Sequence, residues 1–147
     1  MSKRYSLANY ILSIEPQDQT LKQMFGTISI GGQGSAVGSV KVAQQTDMWS
    51  TKGYATGAWV HSKNLDRHGT CNVTLKQLSN EVMKFIKLCN VYYTADFDGC
   101  TLTLTDAKGN KVATCEDCYI QKISDQEFGE EAADQDWAFT CGKVSFQ

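Results

Sequence analysis

The sequence predicts a mainly β domain: a β-sandwich or barrel of about six to eight short strands, with one flanking α-helix over about residues 79–90. Three observations lead there. Apolar and polar residues alternate through several segments rich in Thr, Val and Ile, the pattern of half-buried strands. Turn-forming residues separate these segments. A single stretch departs from period two and takes up a helical period.

Taken in order, Tyr10, Leu12 and Ile14 share one face of "NYILSI". The run "GTISIGGQGSAVGSVKVAQQ" gives two strands around a glycine cluster, with Val40 and Val42 alternating against Ser39 and Lys41. Cys71, Val73 and Leu75 oppose Asn72, Thr74 and Lys76. In "SNEVMKFIKLCN", Val82, Phe85, Ile86 and Cys89 fall at i, i+3, i+4 and i+7, the apolar stripe of a helix. Ser79 is placed to cap its first turn, and Glu81 suits its positive end. Cys100, Leu102 and Leu104 then alternate with threonines. "DAKGNK" turns the chain back into "KVATC", a hairpin. Last, Trp137, Phe139 and Cys141 share a face, Gly142 breaks the parity, and Val144 and Phe146 resume it. A glycine at a parity break marks a bulge or bend.

The bulk numbers set limits. The 147 residues make one domain, residues 1–147. At 41% hydrophobic and 20% charged, the chain is able to bury a core. A net charge of −2 argues against electrostatically driven nucleic-acid binding. No apolar run approaches the ~18 residues of a membrane span. The N-terminal segment lacks an apolar h-region and a small-residue cleavage site, so a cytosolic birthplace is expected, with the six cysteines as free thiols.

Cys115 and Cys118 form a C-x-x-C. A structural zinc needs four ligands, and no second C-x-x-C is present. His61 and His68 are read as surface loop residues. Glu116 and Asp117 lie between the two thiols and disfavour a reactive thiolate. No metal and no cofactor is expected. The other four cysteines, Cys71, Cys89, Cys100 and Cys141, fall on apolar faces and read as core. No G-x-S-x-G elbow occurs, and the glycine cluster lacks the G-K-[ST] of a phosphate loop.

Two segments stand out for other reasons. Residues 125–136 hold six acids (Asp125, Glu127, Glu130, Glu131, Asp134, Asp136) and no Lys or Arg. The segment from Gln44 to Asn64 is long for a connection, and long loops in compact domains are usually functional or disordered. It carries Trp49, Tyr54 and Trp59, residue types common as interface anchors.

Two patterns resemble the tail tube proteins of contractile-tailed bacteriophages. One is Ser62, Lys63, Asn64, Arg67, Gly69, Val73, Leu75, Gln77 and Ser79. The other is Ile120, Lys122, Phe128, Gly129, Glu131, Trp137 and Cys141. The resemblance implies a fold like that of the type VI secretion tube protein, and a structural role with no catalysis. It implies hexameric rings, closed through sheet edges, that stack head to tail into a hollow tube inside a contractile sheath. It further implies assembly in the host bacterial cytoplasm and partners in the virion: the sheath, tape-measure, baseplate and tail-terminator proteins. DNA passes down the lumen without specific binding, and no membrane is involved. On this reading Trp49, Tyr54, Trp59, His61, Lys63, Asn64 and Arg67 are candidates for contacts between rings or subunits. Carboxylates among Asp96, Asp98, Glu127, Glu130, Glu131, Asp134 and Asp136 are candidates for an acidic lumen, which would repel DNA and let it slide. The alternatives are the tube of a phage-tail-like bacteriocin, a cytosolic thiol or metal protein using Cys115 and Cys118, and a small ligand-binding β-sandwich.

Overall fold

Alternation in the sequence becomes alternation in burial. In the strand Gly69–Lys76, Cys71, Val73 and Leu75 are fully buried, while Asn72 and Lys76 are exposed. The computed structural model describes residues 6–31, 37–77 and 79–147. The centre of the glycine cluster between the two expected strands, residues 32–36, lies outside them.

The described elements are β1 (Ile11–Pro16), α1 (Gln19–Phe25), β2 (Ile28–Gly31), β3 (Val37–Gln44), β4 (Trp49–Gly53), β5 (Trp59–Lys63), β6 (Gly69–Lys76), α2 (Asn80–Thr94), β7 (Cys100–Thr105), β8 (Lys111–Ile120) and β9 (Asp134–Phe146). Seven strands make one antiparallel sheet in the order β2-β1-β7-β8-β9-β6-β3, curled into a half-barrel. β4 and β5 pair only with each other. The barrel-like β fold expected from the sequence is therefore present, built from a single curled sheet.

α2 packs against the buried face of the sheet. Its Ser79 cap accepts a hydrogen bond from the Val82 amide, and Val82, Phe85, Leu88 and Cys89 are buried. Phe85 meets Trp137 and Phe139 edge-on at ring-centroid distances of 5.4 and 5.5 Å. The helix runs further than expected, to Thr94. A second helix, α1, was not expected. Asp18 caps it by accepting from the Thr20 and Leu21 amides, Gly26 ends it with φ +62°, and only its Leu21 is buried.

Gly69 sits where β3, β6 and β9 crowd together. A Cβ there would collide with the Ala43 carbonyl oxygen and lie 2.7 Å from Val144 Cγ2. The glycine of the Arg67-x-Gly69 pattern is thus required by packing.

Candidate assembly interface

The segment read as a long connection is a free-standing hairpin. Trp49 pairs with Lys63, Thr51 with His61, and Gly53 with Trp59. Cross-strand partners share a face, so Trp49, Thr51, Trp59, His61 and Lys63 project to one side. The Lys63 ammonium lies 5.7 Å from the centre of the Trp49 ring, and Thr51 Oγ1 is 2.8 Å from His61 Nδ1. Ser50, Lys52, Val60 and Ser62 take the other face, where Lys52 lies over the Tyr54 ring at 5.4 Å. The turn closes with Gly57 N–H donating to the Tyr54 carbonyl. At the root, the Asn64 amide donates to the Met48 carbonyl, and Asn64 Oδ1 accepts from the Asp66 amide. His61 is therefore a strand residue, not a loop residue.

Every residue of both hairpin strands is exposed. Trp49 is 54% and Trp59 66% accessible. These rings do not cap their own subunit's core. A two-stranded hairpin is marginal in water by itself, and exposed aromatic residues of this kind are common at contact sites in general.

His68 stays in the turn after Asp66, with its Nδ1 at 2.6 Å from Asp66 Oδ2. The Asp66 carboxyl lies below the ordinary carboxylate value, chiefly because the His68 amide donates to it and then because of the His68 ring. Arg67 presents its carbonyl to the Val144 amide at 2.8 Å, leaving its side chain exposed.

The seven acids expected at a lumen are all exposed, but they do not form one patch of a single element. Asp96 and Asp98 lie between α2 and β7, where the Tyr92 hydroxyl donates to the Asp98 carbonyl. Glu127, Glu130 and Glu131 occupy the irregular segment between β8 and β9. Asp134 and Asp136 stand on the outer face of the sheet. Asp134 pairs with Lys76 at 3.5 Å. Asp136 accepts from Thr74 Oγ1, which in turn accepts from Ser39 Oγ.

The C-x-x-C is internal. Cys115 and Cys118 are both buried because Asp117, with φ +55°, shifts the strand's phase between them. Cys118 lies opposite Cys141 on β9 and Cys100 on β7. Hydrogen bonding to Cys115 chiefly raises the Cys118 and Cys141 thiols, followed for Cys118 by hydrogen bonding to Cys141 and by burial, while bonding to Cys118 and Cys141 lowers Cys115. The sequence reading missed Cys141 as the third member of this trio. All three are closed off from solvent, whereas a reactive thiolate needs access. Among the described residues, no group of three or more His, Cys, Asp or Glu is arranged to hold a metal ion. No helix there is long and apolar enough to cross a membrane.

A chain of an extracellular contractile injection system, from the PVC sheath-tube complex in its extended state, superposes with TM-score 0.58 at 12% identity. That match covers 98% of this chain and 91% of the other. A chain from the PVC sheath/tube terminator gives TM-score 0.58 at 11% identity, covering 99% and 98%. A chain from the anti-feeding prophage tube-terminating cap gives 0.54 at 11%, covering 100% and 94%. At such identities these matches show a shared fold. No curated protein sequence matches. A family model described as bacteriophage PhiTE tail tube protein matches residues 16–147, which takes in the hairpin, both helices and all of the sheet but most of β1. The chain belongs to that tail tube family.

Proposed function

We propose that the protein is the tube subunit of a contractile-tailed phage or of a related contractile injection particle. Its role is structural, not catalytic. Six copies close into a ring through sheet edges, and rings stack inside a contractile sheath. The observation that carries this reading is the wholly exposed β4–β5 hairpin, with Trp49, Trp59, His61 and Lys63 on one face, in a chain of the tail tube family. Tyr54 lies at the tip, and Asn64 and Arg67 shape the root.

The other named partners follow from a tube. The similar solved chains come from a sheath-tube complex, a sheath/tube terminator and a tube-terminating cap. A sheath outside, a baseplate and a terminator at the ends, and a tape-measure protein within are the partners assigned here, in a virion tail assembled in the host bacterial cytoplasm. DNA transits the lumen. Six copies at −2 each make a ring of −12, and a wall that carries carboxylates does not hold phosphates by counterion release. Asp134 and Asp136 suit that wall best, because they stand on regular sheet instead of a loop.

The test is direct. The purified protein, concentrated and viewed by negative-stain electron microscopy, should show rings or tubes. A monomer that persists at every accessible concentration would overturn the reading.

A further inference from the structure

Among the described residues, none fills the cleft at the root of the hairpin. It encloses about 310 Å3, with Met48, Lys63, Leu65 and Arg67 among its walls. Met48 is 58% and Leu65 79% exposed. Among the described residues, neither Lys63 nor Arg67 forms an ion pair. Met48 and Leu65 give apolar surface beside the cations of Lys63 and Arg67, with Gln44, Thr46, Asn64 and Asp66 completing the lining. The apolar and basic parts together fit an apolar side chain carried on an acidic segment. The chain supplies one. Phe128 is 81% exposed, and it stands between Glu127 and the pair Glu130 and Glu131. None of these acids forms an ion pair among the described residues.

Knob and cleft sit at opposite ends of β9. On the cleft side, Val144 donates its amide to the Arg67 carbonyl and accepts from Gln44 Nε2 through its own carbonyl. On the other side, Ala133 is tied to Gln77 by two hydrogen bonds, and Glu127 borders a depression shared with Asp134 and Asp136. The eleven residues from Asp134 to Val144 span roughly 30 Å of strand. Phe128 and the cleft are both exposed, so neither is satisfied within one copy. Complementary surfaces at opposite ends of a subunit make a heterologous contact, which closes into a ring or repeats along an axis according to its rotation. With ring closure assigned to the sheet edges, this contact is left for stacking.

Building on the tube reading, we propose that the Phe128 loop of one copy seats in the Met48–Leu65 cleft of the copy stacked on it. Glu127, Glu130 and Glu131 then face Lys63 and Arg67 across the joint between rings. These three acids serve stacking, and the lumen wall is left to others.

The test is a charge swap read by light scattering and electron microscopy. K63E/R67E and E127K/E130K/E131K should each slow tube growth by roughly tenfold or more, because like charges are forced together. Their far-ultraviolet circular dichroism should stay that of the native fold, since all five positions are exposed. Mixing the two variants, or joining all five substitutions in one chain, should restore growth. A second measurement needs no loss of assembly. Phe128→Cys in one preparation and Leu65→Cys in another, differing in mass through a tag, should cross-link to each other in mixed tubes, because the native cysteines are buried. If both reversals leave growth unchanged, if the swap fails to restore it, or if no mixed cross-link forms, the stacking contact is wrong while tubes of the unaltered protein keep the tube reading intact. If the unaltered protein forms no tubes, both fall.

Discussion

Asp117 adopts a left-handed φ that side chains rarely take, though Asp tolerates it better than most. The result is local and exact in effect: Glu116 and Asp117 both face outward, and the cysteines on either side both face in. Directly across, Gly142 and Lys143 make the same step between Cys141 and Val144. The parity break at Gly142 was legible because glycine is a specific signal. The one at Asp117 was not, because an aspartate in a strand carries no such signal and the pairing of the two strands is not local information. Thiol chemistry tests this arrangement. Burial raises Cys71 and Cys100, and pushes Cys89 up to about 11. Because all six thiols, Cys115 with its lowered value included, are buried, the native protein at pH 8 should react only slowly with a thiol reagent, and the denatured protein should titrate all six cysteines. Rapid native labelling would reopen a thiol function. Cys118→Ala should stay folded and assemble, whereas Cys118→Ser buries a hydroxyl and should cost about 1–3 kcal/mol more if that group finds no partner. Gly69→Ala meets backbone on one side and Val144 on the other, so a loss of about 1–3 kcal/mol is expected in denaturant unfolding.

At the scale of elements, what the sequence made legible is what a buried face makes periodic. α2 and strands β6, β7 and β9 each bury one face, and each shows its period in the sequence. α1 buries only Leu21 over seven residues, too short a run for its period to be counted. Its remaining signals, Asp18 before it and Gly26 after it, are caps and nothing else. The tail of α2 holds Val91, Tyr92 and Tyr93, β-formers by composition, and these hid its last turn. The hairpin failed for the opposite reason. Both of its faces are exposed, so no apolar alternation marks it as strand. Only the density of aromatics pointed to an interface, and Trp49, Trp59, His61 and Lys63 emerged as one face only once the register was known. That exposure makes a clean separation possible. Trp49→Ala should leave monomer unfolding within about 0.5 kcal/mol of the unaltered chain, as surface substitutions usually do. It should nevertheless abolish tube growth. Normal tubes from this variant would remove Trp49 from the interface.

The whole molecule is set by pairings between strands far apart in the chain: β1 with β7, β6 with β9, and β3 with β6. Periodicity says that a strand has an inner face but not which strand lies beside it, so the order of the sheet was out of reach. So was the fact that, among the described residues, β2 and β3 are the outermost strands of the sheet. Open edges invite pairing with other chains, and ring closure would use that property. The remaining issue is the wall such a ring offers to DNA. Replacing Asp134 and Asp136 by Lys changes each copy from −2 to +2, and a ring of six from −12 to +12. Both side chains are exposed, and neither is needed by the core. Tubes of the double variant should therefore form and be countable by electron microscopy. Unaltered tubes should leave duplex DNA unretained at moderate salt. The lysine tubes should retain it, with an affinity that falls steeply as salt rises, because each neutralised phosphate releases counterions. If these carboxylates instead lie outside the lumen, or the wall was never repulsive, the two kinds of tube will treat DNA alike, and the acidic conduit must be sought at Asp96 and Asp98 or given up.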